Sequence, residues 1–375
     1  MYFQLIKVYR YFVLYGLRRT IIKIAGRKNI IFLKIFFPEL LFKKVKDISL
    51  IGCGQFGFST ITFFLLKNKG NRFLDCYDPN DFNSTRTEMF WGYHKCNSYQ
   101  DILKNENCKI IYIASNHNTH TSYAISALQA GKIVYVEKPI SVSYEQLTDL
   151  LLILRNENYF HNFYVGYNRP FSKAILEIKK NILNKNLPLT FTAVVAGHYL
   201  ELDHWYRNPE EGTRICGNVG HWVDLAIHLI YARGYIPNQF NIVINYSNQS
   251  DFDDNLSISI TTEFGDLISI VLTSRLEPFE GIDETIVVQT SDFYAKIDDF
   301  RKMTIWRGAT KSKYNYNPKD VGHLNALNQP FVKNSRNFNE IEISTILILE
   351  ITDMVKKREC SRTINPFSIL SKIIS

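Results

Sequence analysis

Residues 47–51 form a short apolar run that ends in Gly52-Cys53-Gly54-Gln55-Phe56-Gly57, after which Phe58, Ile61 and Leu65 recur at helical spacing. A G-x-G-x-x-G turn between a strand and a helix constrains the fold more than any other feature of this chain. Gly52 permits the tight turn, Gly54 lets backbone approach a pyrophosphate, and Gly57 lets the helix pack close to the strand. Gln55 and Phe56 fall between them, where the helix N-terminus offers free N–H groups and a positive dipole to phosphate. The glycines alone are weak evidence; the strand–turn–helix context gives them weight.

The pattern then repeats. A second strand over 72–77 ends in Asp78, an acid placed to hydrogen-bond adenosine ribose hydroxyls and to repel a 2′-phosphate, which favours NAD over NADP. Asp75 falls inside that strand and is the poorer candidate. A buried strand over 109–114 leads into Ser115-Asn116-His117-Asn118-Thr119-His120, and a helix over 119–130 stops at Gly131. The strand over 133–136 ends in Glu137-Lys138-Pro139, and Ser143 and Gln146 have capping-box spacing for the next helix. This β-α alternation predicts a doubly wound parallel sheet whose ligands sit at the carboxyl ends of the strands. Ser115, Asn118, His120, Glu137 and Lys138 all fall at such ends and join the glycine loop and Asp78 as cofactor-binding candidates. After residue 187 the pattern alternates: Leu256, Ile258 and Ile260 oppose Ser257, Ser259 and Thr261, and Gly265-Asp266 reads as a hairpin turn. Residues 341–355 read as a terminal helix. The fold class is therefore α/β plus α+β, with a Rossmann sheet first and an open, mostly antiparallel sheet after it. The expected segments are 1–46, an extension; 47–168, the dinucleotide-binding domain; and 169–375, a substrate and oligomerisation domain whose last helix packs back on the first.

Charge separates the extension from the rest. Residues 1–46 hold eleven Lys/Arg against the single acid Glu39, a net +10, so the other 329 residues sum to −2 within the total of +8. Apolar runs at 11–17 and 30–33 alternate with the cations, and none approaches the ~20 residues of a spanning helix. Two readings stand: helices packed on the enzyme body with snorkelling cations, or an interfacial anchor on an anionic membrane. No nucleic-acid motif accompanies the charge, so nucleic acid is not an expected partner. Six cysteines without a C-x-x-C pair read as reduced thiols in a cytoplasmic protein, with the inner face of the membrane as the place of any peripheral contact.

Gly52 to Gly57, Asn118-Thr119-His120, Glu137-Lys138-Pro139 and Val165-Gly166-Tyr167-Asn168-Arg169 together resemble the Gfo/Idh/MocA family over roughly residues 47–370. The segment from Asp203-His204-Trp205 through Pro209-Glu210-Glu211-Gly212 to His221-Trp222-Val223-Asp224 resembles a branch associated with polysaccharide biosynthesis. The resemblance implies hydride transfer between NAD(P) and a ring hydroxyl of a sugar, cyclitol or nucleotide sugar. It also implies a homo-oligomer formed through the second sheet.

Oxidising a secondary alcohol needs a base and a group that steadies developing negative charge. The resemblance gives the second task to Lys138. For the base, a helix over 217–231 presents His221, Asp224 and His228 on one face. Family members carry D-x-x-x-H here, a spacing that Asp224 and His228 match, so His228 is the expected base, Asp224 a catalytic or substrate-binding partner, and His221 the second choice. No further local ligand makes the trio a metal site. The chain departs from the family at Gly217-Asn218-Val219-Gly220 before the extra His221, and at Trp205-Tyr206, where the arginine is displaced to Arg207. Arg169, Asp203, His204, Trp205 and His221 are the remaining candidate substrate contacts. The alternative is a catalytically weakened NAD- or sugar-nucleotide-binding protein in surface-polysaccharide assembly, held by its basic extension.

Overall fold

The computed structural model describes residues 2–42, 44–156, 159–248, 253–278, 281–332 and 336–374, with backbone alone for 2–4. Met1 and Lys43 of the extension and the terminal Ser375 lie outside the described residues. The chain divides into two compact units, each with its own sheet.

The first unit holds residues 1–141, 145–167 and 323–335. Its six strands are β1 (Ile48–Ile51), β2 (Phe73–Tyr77), β3 (His94–Lys95), β4 (Ile110–Ile113), β5 (Ile133–Val136) and β6 (Phe163–Val165), in the order β3-β2-β1-β4-β5-β6. Every pair is parallel. β1 and β4 are buried at every residue, as central strands covered on both faces must be. The strand order reverses between β1 and β4, so the glycine loop and Ser115 leave the sheet at a topological switch point.

The extension is part of this unit rather than a separate one. Two helices, α1 (Tyr2–Tyr15) and α2 (Leu17–Lys28), open it. Ile21, Ile22 and Ala25 of α2, with Phe37, share a core with Ile48, Leu50, Phe58, Phe63, Phe73 and Trp91. Gly26 is what lets α2 come so near: a Cβ there would lie 2.9 Å from Gln55 and Phe58 side-chain atoms. Of the two readings of the extension, packing on the body holds for α2.

The second unit holds residues 142–144, 168–322 and 336–375. A nine-stranded sheet runs in it from residue 190 to 364, and among its pairs only Thr190–Ala196 with Leu267–Thr273 is parallel. Leu256–Thr262 and Leu267–Thr273 form the hairpin read at Gly265, whose φ is +87°. Asp266 is more than a turn residue, since its buried carboxylate takes a bidentate grip from Arg233. The helix read over 341–355 spans Phe338–Lys357 and packs within this unit against the helix Gly220–Arg233; it is not terminal, because a strand, Ser361–Ile364, and a last helix, Pro366–Ile374, follow it. Residues 323–335 belong to the first unit. There the Tyr112 hydroxyl donates to the Leu327 carbonyl at 2.7 Å.

If α2 is core rather than appendage, Ile22→Ala opens a cavity in the nucleotide-binding unit. We expect a loss of about 2–5 kcal/mol in urea unfolding; a loss below about 0.5 kcal/mol would return α2 to the status of an appendage.

Candidate active site

On the first unit the glycine loop behaves as its spacing demands. Gly52 has φ +91°, and a Cβ there would stand 2.4 Å from Ala114 backbone. A Cβ on Gly57 would stand 2.2 Å from the Gly52 carbonyl oxygen, so only glycine allows the first turn of the helix to close on the strand. Gly54, by contrast, faces open space, with nothing within 4 Å of its Cβ position. The residues present thus fit a dinucleotide: a loop closed at both ends by contact and open in its middle, at a helix N-terminus.

Asp78 ends β2 beside this loop and is part-exposed. Its Oδ2 accepts from the Cys53 N–H at 2.7 Å and its Oδ1 from the Asn80 N–H at 2.8 Å. A carboxylate held so firmly offers its remaining lone pairs to ribose hydroxyls and repels a phosphate in the same place. Arg86 completes the loop, and no local pattern in the sequence marked it. From the helix Asp81–Trp91 its guanidinium donates to the Cys53 carbonyl at 2.7 Å and the Gly26 carbonyl at 2.9 Å, and lies 4.6 Å over the Phe58 ring. It is buried, and serves the loop backbone rather than a ligand. Gln55 packs against α2 and Phe56 sets its ring 5.6 Å from His323.

At the other side of the switch point, Ser115 and Asn118 are part-exposed, while His120 is buried. The His120 ring bridges the Pro139 carbonyl (Nδ1, 2.8 Å) and the Ser115 carbonyl (Nε2, 3.1 Å). Burial pushes its pKa down to about 4 in spite of those two carbonyls. In this structure His120 ties the end of β4 to the Glu137-Lys138-Pro139 turn, with both ring nitrogens on backbone carbonyls. Gln146 adds a second tie, donating to the Asn118 carbonyl at 2.8 Å. Glu137 also points inward. A Cβ on Gly166 would lie 2.8 Å from its carboxylate, and the Tyr135 hydroxyl donates to it at 3.3 Å. Burial raises the Glu137 pKa to about 7 against the pull of Lys138. Lys138 itself is part-exposed at the end of β5, before a cis Lys138–Pro139 bond.

On the second unit the structure reassigns the helix residues. Asp224 is wholly buried; both its oxygens accept from Arg336 (2.8 and 3.0 Å) and Oδ1 also from the Ser344 hydroxyl (3.1 Å). Arg336 also donates to Glu340 at 2.5 Å, and Glu340 accepts from His228 Nδ1 at 3.1 Å. Burial raises the Asp224 pKa against the pull of Arg336, and lowers that of His228 to about 4 against the pull of Glu340. For Glu340 burial is outweighed by Arg336 and His228, and its pKa falls to about 2. The expected base His228 and its partner Asp224 are thus members of a sealed ion network. Helical spacing placed them on one face correctly, but that face turns into the core.

Arg169 is corrected in the same way. It is buried, forks onto Glu284 at 2.8 and 3.0 Å, and stacks 4.8 Å from the Trp222 ring, whose Nε1 donates to the same carboxylate. What stays accessible on this unit is His221, part-exposed one turn before Asp224, and the segment 203–206. His204 caps the turn Trp205–Arg207 by accepting from the Tyr206 N–H at 3.2 Å, and the Trp205 and Tyr206 rings meet edge-on at 4.3 Å. A Cβ on Gly217 would lie 2.5 Å from the Tyr206 ring, so this aromatic segment packs at the glycine that opens the 217–220 stretch. His204, Trp205 and His221 are thereby gathered near one helix start, while Asp203 is exposed beside them. The displaced Arg207 and the buried Arg214 both bind Asp254, at 2.9 and 2.6 Å, and pin the segment. Among the described residues, metal-type ligands gather in threes only at Asp75, His94 and Cys96 on the β2–β3 edge of the first unit.

Known proteins agree with this architecture. Residues 46–164 match the family model described as an oxidoreductase family with an NAD-binding Rossmann fold. Inositol 2-dehydrogenase of Gluconacetobacter diazotrophicus is 27% identical over 136 residues, 35% of this chain and 40% of that protein. The uncharacterized oxidoreductase YrbE of Bacillus subtilis is 22% identical over 240 residues, 60% and 67% of the two chains. The match spans about a third to a half of the first curated relatives. Among solved structures, levoglucosan dehydrogenase in complex with NADH and levoglucosan superposes with a TM-score of 0.68 at 14% identity, over 85% of this chain and 99% of that one. UDP-N-acetylglucosamine 3-dehydrogenase GnnA of Acidithiobacillus ferrooxidans gives 0.67 at 15% identity, over 84% and 99%. The first unit has a Rossmann fold, and it is this part of the chain that matches the family model. Residues 46–164 are thus similar to the NAD-binding domain of that oxidoreductase family.

Two outcomes follow. Asp224→Ala leaves the buried Arg336 without its main counter-charge and should cost about 3–5 kcal/mol in urea unfolding, whereas His221→Asn should stay within about 0.5 kcal/mol; equal losses would contradict the reassignment. Glu137 ionises near 4.5 when unfolded and near 7 when folded, so the folded state holds the extra proton between those values. Stability therefore falls as pH rises through that window, by about 3 kcal/mol from this group. Glu137→Gln should lack that fall, and a wild type and variant with parallel pH profiles would remove the effect.

Proposed function

We propose that the chain is an NAD-dependent dehydrogenase acting on a ring hydroxyl of a sugar, cyclitol or nucleotide sugar. The observation that carries this reading is the carboxyl edge of the parallel sheet, where an open Gly54, the fixed Asp78 carboxylate, Ser115 and the part-exposed Lys138 stand at successive strand ends. The named relatives, an inositol dehydrogenase, a levoglucosan dehydrogenase and a UDP-N-acetylglucosamine dehydrogenase, support a polyhydroxylated ring as the substrate class.

NAD, when bound, supplies the hydride acceptor. The chain's residues do the rest. The backbone of 52–57 and the helix N-terminus after it hold the pyrophosphate, and Asp78 binds the adenosine ribose and excludes a 2′-phosphate. Lys138, steadied by the His120 strut behind its turn, hydrogen-bonds the reacting hydroxyl and stabilises negative charge on its oxygen. On the second unit His221, rather than the buried His228, is the candidate base. Trp205 offers its flat face to the ring, and His204 and Asp203 offer polar contacts. The antiparallel sheet, with alternating exposed residues such as Val194 and Val243, is the surface through which copies associate.

The test supplies NAD and a panel of sugars, cyclitols and nucleotide sugars to wild type, Lys138→Ala and His221→Asn, and follows nicotinamide absorbance. One ring substrate should give NADH, with kcat lowered about 10²–10⁴-fold in each variant. NAD bound without turnover of any substrate, and without change of product mass, would favour a binding protein instead. NADH should bind at least about tenfold tighter than NADPH, and Asp78→Ser should erase that preference; tighter NADPH binding by the wild type would overturn the role of Asp78.

A further inference from the structure

The proposed chemistry makes no use of the outer surface of the extension. Its inner surface is accounted for: α2 buries Thr20, Ile21, Ile22, Ala25 and Gly26, Arg19 donates to the Ser59 carbonyl, and Arg86 holds the Gly26 carbonyl. The extension's single acid, Glu39, is also spoken for, gripped by both Arg18 nitrogens at 2.7 Å. What remains outside is apolar and basic. On α1, Leu5, Val8, Tyr9, Phe12 and Val13 recur at i, i+3, i+4, i+7 and i+8, and each is 38–64% exposed. That spacing is the stripe a globular helix ordinarily turns inward. Further along, Phe32, Ile35, Leu41 and Phe42 are 67–83% exposed. Scattered exposed apolar residues need no explanation, but a continuous stripe does. Lys7, Arg10, Arg27, Lys28 and Lys34 are exposed on the same 46-residue extension.

We infer that this face of the first unit docks in the plane of an anionic lipid bilayer. The α1 stripe would enter the headgroup–acyl boundary, and the cations would meet lipid phosphates. Charge decides the occupant. A second copy would bring the same exposed cations, Lys7, Arg10, Arg27, Lys28 and Lys34, against themselves, and a neutral apolar partner would gain nothing from them. An anionic bilayer matches both the grease and the charge. Spanning is not involved: α1 has 14 residues, about 21 Å of helix, and no described helix is long and apolar enough to cross a membrane. Because α2 is keyed to Gln55, Phe58 and Ser59, docking would place the nucleotide loop at a fixed depth from the lipid surface.

The test is sedimentation of the full chain with phosphatidylcholine vesicles, with and without phosphatidylglycerol, at low and high salt. Partition onto the anionic vesicles should exceed that onto neutral ones at least about tenfold at low salt and fall as salt screens the charges. Leu5→Ser/Tyr9→Ser/Phe12→Ser, all at exposed positions, should lower partition about tenfold with an unchanged thermal midpoint, and Lys7→Glu/Arg10→Glu should remove the preference for anionic lipid. Equal binding to both vesicles, binding that survives the triple substitution, or a dimer that the triple substitution dissolves without any lipid binding would each overturn the inference. NADH formation in the same samples is read separately, so loss of lipid binding does not bear on the proposed chemistry.

Discussion

The first helix of the Rossmann domain approaches its strand so closely that a Cβ on Gly57 would overlap the Gly52 carbonyl. Much of the site depends on that approach. It places the helix N-terminus against the loop, opens Gly54 outward, and directs the Cys53 N–H to Asp78 and the Cys53 carbonyl to Arg86. A loop whose backbone is fixed by Asp78 and Arg86 at Cys53, while Gly54 stays open, has little left to order when phosphate arrives, which is the physical meaning of a pre-organised binding site.

The second unit rests on a different constraint. Its interior holds charges that are costly to bury and costly to unpair. Asp224, Arg336, Glu340 and His228 form one network; Arg169, Glu284 and Trp222 form another; Arg233 and Asp266 a third. Each joins segments distant in the chain. They hold the helix Gly220–Arg233 against the helix Phe338–Lys357 and the sheet, and so set the rotation that leaves His221 part-exposed while Asp224 and His228 turn in.

The extension shows how composition can mislead by averaging. Its net +10 suggests one role for all 46 residues, but the structure divides the labour. α2 is core, because its small and branched residues at 21, 22, 25 and 26 match the back of the nucleotide loop. α1 keeps its apolar stripe exposed.

The strand–glycine–helix pattern, the acid after β2, the alternation after residue 187 and the helix over 341–355 were all legible in the chain itself, because each is a local matter of backbone freedom or of hydrophobic period. So were Lys138 and its neighbours, which sit where strands end. The roles of His120, Asp224, His228 and Arg169 were not. Residue type and spacing say which groups share a face, but not whether that face meets substrate or a buried partner. Their partners, the Pro139 carbonyl, Arg336, Glu340 and Glu284, lie 19 to 115 residues away, the nearest across a crossover helix. Only the tertiary structure could supply them, since a charge's function is set by what neutralises it, and that is decided by packing rather than by sequence neighbours.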